Sequence, residues 1–214
     1  GYFPVDNINF LLDLLGADIL FGSTSISDAV ANDGAAYRAA GTELGTGPVA
    51  TAVTKGMEAG FILHGPCSIV GFDSLLKTSL PNDYYDLRTE QADGVEILVS
   101  YSPDSVSDDS DASDTDLDLY AESATTGNYP AVVYQAIGDS HLVLAGEAIF
   151  TDYKKMYDQR TESGDEGYNN GTTYGQMFVN NIVNHFLGGA GVPASVVPAL
   201  VALGLFGTVA VIVK

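Results

Sequence analysis

Asp109, Asp111, Asp114, Asp116 and Asp118 sit two or three residues apart in the run SPDSVSDDSDASDTDLDLYAES, residues 102–123. Asp-x-Asp spacing offers several hard carboxylate oxygens to one ion, the donor type that Ca²⁺ takes. The run lacks the glycine that shapes an EF-hand loop. The plainer alternative is a solvated acidic loop, because clustered like charges repel one another and resist burial.

A second constellation is His64-Gly65-Pro66-Cys67, which follows an apolar run. A cysteine after a strand with a histidine nearby invites comparison with a thiol nucleophile. That chemistry wants a glycine-flanked turn, oxyanion donors and a base oriented by a carboxylate. Pro66 removes the N–H before Cys67, and Ser68-Ile69 supplies no glycine after it. A small apolar cysteine in the core is the competing reading. Asp139, Ser140 and His141 bring together three triad residue types, but neighbours along a strand point to opposite faces, so a turn is expected there. His185 has no second His or Cys beside it, and the sequence holds no CxxC, HExxH or Walker motif.

Charge narrows the classes further. The chain of 214 residues has 28 acidic and 8 basic side chains, a net charge of −20, with no basic residue between Arg88 and Lys154. Such a surface repels nucleic-acid phosphates, which excludes a nucleic-acid partner, and it favours cations or basic proteins. Hydrophobic residues make up 46%, so the chain has material for a core. Cys67 is the sole cysteine, so no internal disulfide marks a compartment. Asn170-Gly171-Thr172 is a glycosylation sequon, which fits an external face.

These residues need elements to hold them. Apolar side chains at Ile8, Leu11, Leu12 and Leu15 have helical spacing over 7–15, and Gly16 is suited to end that helix. A short apolar segment covers 19–21, and the Gly/Ser/Thr-rich stretch up to Gly47 reads as loop with a short helix near 29–40. A short helix or turn follows Pro48, and strands are expected over 59–64 and 95–101. Runs 131–137 and 141–146 flank Gly138-Asp139, a hairpin signal. Residues 174–187 form an amphipathic helix with Met177, Phe178, Ile182, Val183 and Phe186 on its apolar side. The pattern predicts a mixed α/β domain.

The stretch 191–213, GVPASVVPALVALGLFGTVAVIV, has no charged residue in 23 positions. As a helix it would span ~34 Å, enough for a hydrocarbon core of ~30 Å. Its Ala, Ser and Gly residues suit close contact with a neighbouring helix. The expected division is an acidic α/β domain over 1–189, with the Asp-rich insert 102–123, and a transmembrane helix over 190–214. Lys214, just beyond the apolar run, points to a cytoplasmic end and hence an extracytoplasmic domain.

Four segments in this order resemble the glutamine-amidotransferase-like domain of membrane-anchored archaeal and bacterial proteins. They are NINFLLDLLGADILFG, GPVATAVTKGMEAGFILHGPCSI, YPAVVYQAIGDSHLVLAGEAIFTDY and YGQMFVNNIVNHFLGG. Pro48, Thr54, Gly56, Gly138, Gly146, Phe150, Asn181 and Leu187 sit where the family pattern expects them, while Ser140-His141 replaces its usual Gly-Arg/Lys. The resemblance extends distantly to a membrane subunit of oligosaccharyltransferase. It implies a class I amidotransferase fold without its triad, flavodoxin-like with a mixed sheet, of which this chain carries the C-terminal half. It also implies a scaffold or binding role. The function expected is therefore a non-enzymatic, extracytoplasmic accessory or scaffold subunit of a membrane or cell-surface assembly. Its partners would be other membrane subunits at the C-terminal helix and basic proteins or cations on the acidic face, with no required cofactor. The alternatives are a surface ligand-binding domain using Ca²⁺ at the Asp-rich loop, and a Cys67-dependent hydrolase or amidotransferase.

Overall fold

Helix α1, Asp6–Leu14, starts the described chain and turns Leu12 into the core. Gly16 ends it in the left-handed region at φ 74°, and the N–H of Ala17 reaches back to the carbonyl of Leu12 at 3.0 Å. The structure is a computed structural model and describes residues 6–73, 84–108, 119–122, 127–147, 174–187, 201–203 and 208–212.

Two antiparallel sheets follow. The first has the order β5-β4-β1-β7, from Tyr84–Tyr85 (β5), Cys67–Phe72 (β4), Ile19–Ser27 (β1) and Val106–Asp108 (β7). The second begins with Ala40–Leu44 (β2), Phe61–Ile62 (β3) and Val95–Tyr101 (β6). Pro130–Ile137 (β8) and Ser140–Ala145 (β9) form its centre, and Val201–Leu203 (β10) and Thr208–Ile212 (β11) its far edge. Its order is β10-β11-β9-β8-β6-β2-β3.

The mixed α/β class therefore holds, but sheet direction differs from the flavodoxin-like expectation. Every recorded strand pairing is antiparallel. The physical reason is connection length. A parallel pair needs a crossover of a dozen residues or more, whereas β8 and β9 join through two residues. Gly138 takes φ 57° there, the left-handed value that a II′ turn requires of its first central residue.

The expected C-terminal helix is also corrected where the chain is described. Val201–Leu203 and Thr208–Ile212 are strands; β11 pairs with β9 from Thr208↔Ala145 to Ile212↔His141. Val and Ile stiffen extended backbone, and without these strands the apolar β9 would lie at an open sheet edge. No helix among the described residues is long and apolar enough to cross a membrane, a statement that says nothing of strands that do so. The rest of the 190–214 stretch lies outside the described residues. Over 29–40 a turn closed by the Asn32↔Ala39 bridge replaces the expected short helix.

Side chains lock these layers together at specific points. β7 reaches only Ser25–Ser27 of β1, so the strand is open at Phe21. Asn9 fills that gap, accepting from the N–H of Phe21 at 2.9 Å and donating to its carbonyl at 2.8 Å. Gln135 on β8 donates to the Asp18 carboxylate at 2.7 Å and accepts from the Asp18 N–H at 2.8 Å. Helix α2, Pro48–Val53, is fixed at both ends. The Glu96 carboxylate accepts from the N–H groups of Val49 and Ala50, supplying the negative charge that a helix start favours. Asn181 donates to the carbonyls of Val53 and Lys55, each at 2.9 Å. Asn181 belongs to α4, Tyr174–Leu187, whose Phe178, Ile182 and Phe186 are buried as the helical period predicts.

Candidate functional site

The His64–Cys67 turn joins β3 to β4 and is gripped from three directions. The N–H of Leu63 donates to Ala39, the N–H of Gly65 to Tyr37, and Pro66 accepts from the N–H of Ile26. The backbone N–H of His64 donates to the Glu147 carboxylate. Its ring meets the half-exposed ring of Tyr37 edge-on, with centroids 5.2 Å apart. His64, Glu147 and Cys67 thus share one corner of the fold, where β4 leaves the turn and β9 ends.

Proximity does not make a nucleophile of Cys67. The side chain is 2% exposed. Its backbone N–H and its thiol both donate to the carbonyl of Gly146, at 3.0 and 3.4 Å. A thiol that gives its proton to a carbonyl is held in the neutral form. Burial is the larger effect and pushes the thiol from 9.0 up to about 12; the nearby negative charge of Glu147 adds to it, against a smaller lowering by a backbone hydrogen bond. Reactive cysteines need the opposite surroundings, electropositive and partly open.

Tyr101 closes this corner from β6. It is fully buried, and its hydroxyl has no hydrogen-bond partner among the described residues. A Cβ on Gly146 would stand 2.3 Å from the carbonyl oxygen of Cys67 and 3.0 Å from the Tyr101 hydroxyl, so glycine is what lets β4 come this close to the end of β9. Burial, with Cys67 and Glu147 nearby, raises the phenol well above its ordinary value.

The other histidines are spent on packing. The hydroxyl of Tyr134 is 2.9 Å from Nδ1 of His141, and the His141 ring lies 4.7 Å from that of Phe186 on α4. Asp139 is in the hairpin turn and Ser140 pairs with Ile137, so the three triad types do not converge. His185 packs edge-on against Phe186.

A buried carboxylate that the sequence reading passed over fixes the base of the Asp-rich insert. Asp28 is fully buried; Oδ1 accepts from the N–H groups of Val30 and Ala31 at 2.8 and 2.7 Å, and Oδ2 accepts from the hydroxyl of Ser102. Ser102 in turn accepts from the N–H of Asp104, and its carbonyl takes the N–H of Asn128. The only visible sign in the sequence is an Asp ahead of a turn, where its side chain can cap N–H groups two and three residues on.

Arg88 braces the same region. Its guanidinium contacts the Asp86 carboxylate, donates to Gly127 and lies 4.9 and 4.6 Å from the ring centres of Tyr120 and Tyr129. Tyr120 belongs to the short helix α3, Leu119–Glu122.

Asp109, Asp111, Asp114, Asp116 and Asp118 lie outside the described residues, as does Asn170. Among the described residues no three His, Cys, Asp or Glu side chains come together as a metal site would need. Comparison with protein-family models, curated proteins and solved structures found no match.

Proposed function

We propose that this chain is a non-enzymatic accessory or scaffold subunit of a membrane or cell-surface assembly, with its acidic domain on the extracytoplasmic side. The observation that supports this best is the state of Cys67, the one residue on which the thiol-enzyme alternative rested. It is sealed, neutral and used to join β4 to the end of β9. The charge of −20 suits basic proteins or cations as partners.

The resemblance to triad-less glutamine-amidotransferase-like domains is part of this proposal. Positions that carry it have structural work here: Asn181 ends α2, Gly138 makes the hairpin turn, and Gly146 leaves room for the Cys67 carbonyl. The antiparallel sheets do not support it.

Two experiments test the reading. Detergent extraction of the tagged native chain should recover the same partners with Cys67→Ala as without it; loss of those partners, or of a turnover activity, on that substitution would favour the enzyme. Alkaline carbonate washing addresses location. Retention in the membrane pellet supports an anchored subunit, whereas release of the intact chain means that Val201–Leu203 and Thr208–Ile212 serve only as strands of the large sheet.

The calcium reading draws support from the pinned start of the insert, where Ser102 donates to Asp28 and its carbonyl accepts from the N–H of Asn128, beyond the insert. Ca²⁺ bound to the folded chain would raise the melting temperature, and chelator would reverse it. A melting curve indifferent to both removes this alternative.

A further inference from the structure

Helix α1 is apolar on its outer side as well as its inner one. Leu12 is sealed in the core, yet Phe10 is 65% exposed, Leu14 66% and Leu15, just past the helix, 40%. Residues four apart on a helix stack on one face, so Phe10 with Leu14 and Leu11 with Leu15 make two adjacent rows. Single exposed apolar side chains are ordinary, but a contiguous ridge marks a contact surface.

Charge indicates what covers that ridge. The only charged residues of α1 are Asp6 and Asp13, and Asp13 lies beside Leu14 in the chain. No Lys or Arg lies in α1 or before it in the sequence, and the whole chain carries a net charge of −20. A second copy would bring acid against acid across the ridge, and an anionic lipid surface would be repelled. A chain that offers an apolar stripe bordered by cations satisfies both features.

We propose that the Phe10–Leu14–Leu15 ridge docks an amphipathic helix of a partner protein, its apolar stripe flanked by Lys or Arg. This is the helix-on-helix mode of recognition, with anchors at i and i+4 spacing. It rests on the scaffold reading and names the surface and chemistry of the partner.

The probe is a labelled peptide of about 18 residues, Leu and Lys in amphipathic helical order, long enough to hold helical structure. Its control is the same composition scrambled. Fluorescence anisotropy with the full chain should show the ordered peptide binding about tenfold tighter or more, a clear difference in affinity. Phe10→Ser with Leu14→Ser should abolish that preference. Both side chains already face water, so circular dichroism and the urea midpoint should be unchanged; Leu15→Ser gives a second, milder variant should the double substitution unfold the chain. Equal binding of both peptides overturns the proposal, because charge alone then explains it. So does undiminished binding by the substituted chains, no binding at all, or a homodimer that the substitutions dissolve. Partners that co-purify equally with the parent and the Phe10→Ser/Leu14→Ser chain sink the ridge and leave the scaffold reading standing; a parent chain with no partners sinks the scaffold reading.

Discussion

Cys67 should be close to inert toward thiol reagents while the chain is folded. An ordinary cysteine with its value at 9.0 is about 10% thiolate at pH 8, but one pushed up to about 12 is only about 0.01% thiolate. The attacking species is thus depleted about 1,000-fold before access is considered. With 2% of the residue exposed, access adds a further barrier, and reaction must wait for the β4–β9 corner to open. The assay is iodoacetamide labelling at pH 8 followed by intact mass, with the urea-unfolded chain as reference. The folded chain should react at least about 1,000-fold more slowly, and its rate should rise with denaturant as opening becomes easier. Labelling of the folded chain within tenfold of the unfolded one would refute the reasoning. A rate that is flat between pH 6 and 8 would do so as well, since it would mean a thiolate already formed.

Other consequences of the same geometry can be measured together. Because the folded value of Cys67 lies above its unfolded one, the stability it contributes is complete below about pH 9 and is lost as pH rises toward about 12. The slope is about 1.4 kcal/mol per pH unit in that window, and Tyr101 and Tyr120, both raised by burial, steepen it above about pH 10. Urea midpoints from pH 7 to 11 should fall accordingly, and Cys67→Ala should flatten the first part of the fall. Asn181→Ala removes both bonds to the end of α2 and should cost about 1–2 kcal/mol by urea unfolding; an unchanged midpoint would show that α2 is held by packing alone. Tyr101→Phe removes a buried hydroxyl that has no partner among the described residues and should raise stability by about 1 kcal/mol, with a loss instead pointing to a bound water on that oxygen.

The parts of the fold legible in the sequence are those where a period or a turn has one physical solution. The 3.6-residue spacing of Phe178, Ile182 and Phe186 gave α4 its bounds, and Gly138-Asp139 between two apolar runs gave the β8–β9 hairpin. β1 was legible only in its first residues. ILFGSTSIS reads as loop after Phe21 because Gly, Ser and Thr dominate, yet Thr24 and Ile26 alternate inward. Hydroxyls replace apolar contact there: Ser107 donates to Thr24 at 2.7 Å, and Thr24 meets Ser68 at 3.0 Å. Such a cross-strand ladder depends on partners distant in sequence and leaves no local period. The tail fails for another reason. A run that is apolar throughout has no alternation, so length alone argued for a helix while pairing with β9 made strands of Val201–Leu203 and Thr208–Ile212. At the candidate site, the residue types around Cys67 were visible, but the sign of its environment was not. That sign is set by Gly146 and Glu147, some 79 and 80 residues away in the chain.

Under the proposed scaffold role, this chain works through what it holds rather than what it converts. Native mass spectrometry of the gently extracted, tagged protein tests that most directly. A particle heavier than the 22.4 kDa chain, with other polypeptides in fixed ratio and unchanged by Cys67→Ala, is the predicted result. A lone chain of that mass, or an assembly whose composition and activity depend on the Cys67 thiol, would contradict it.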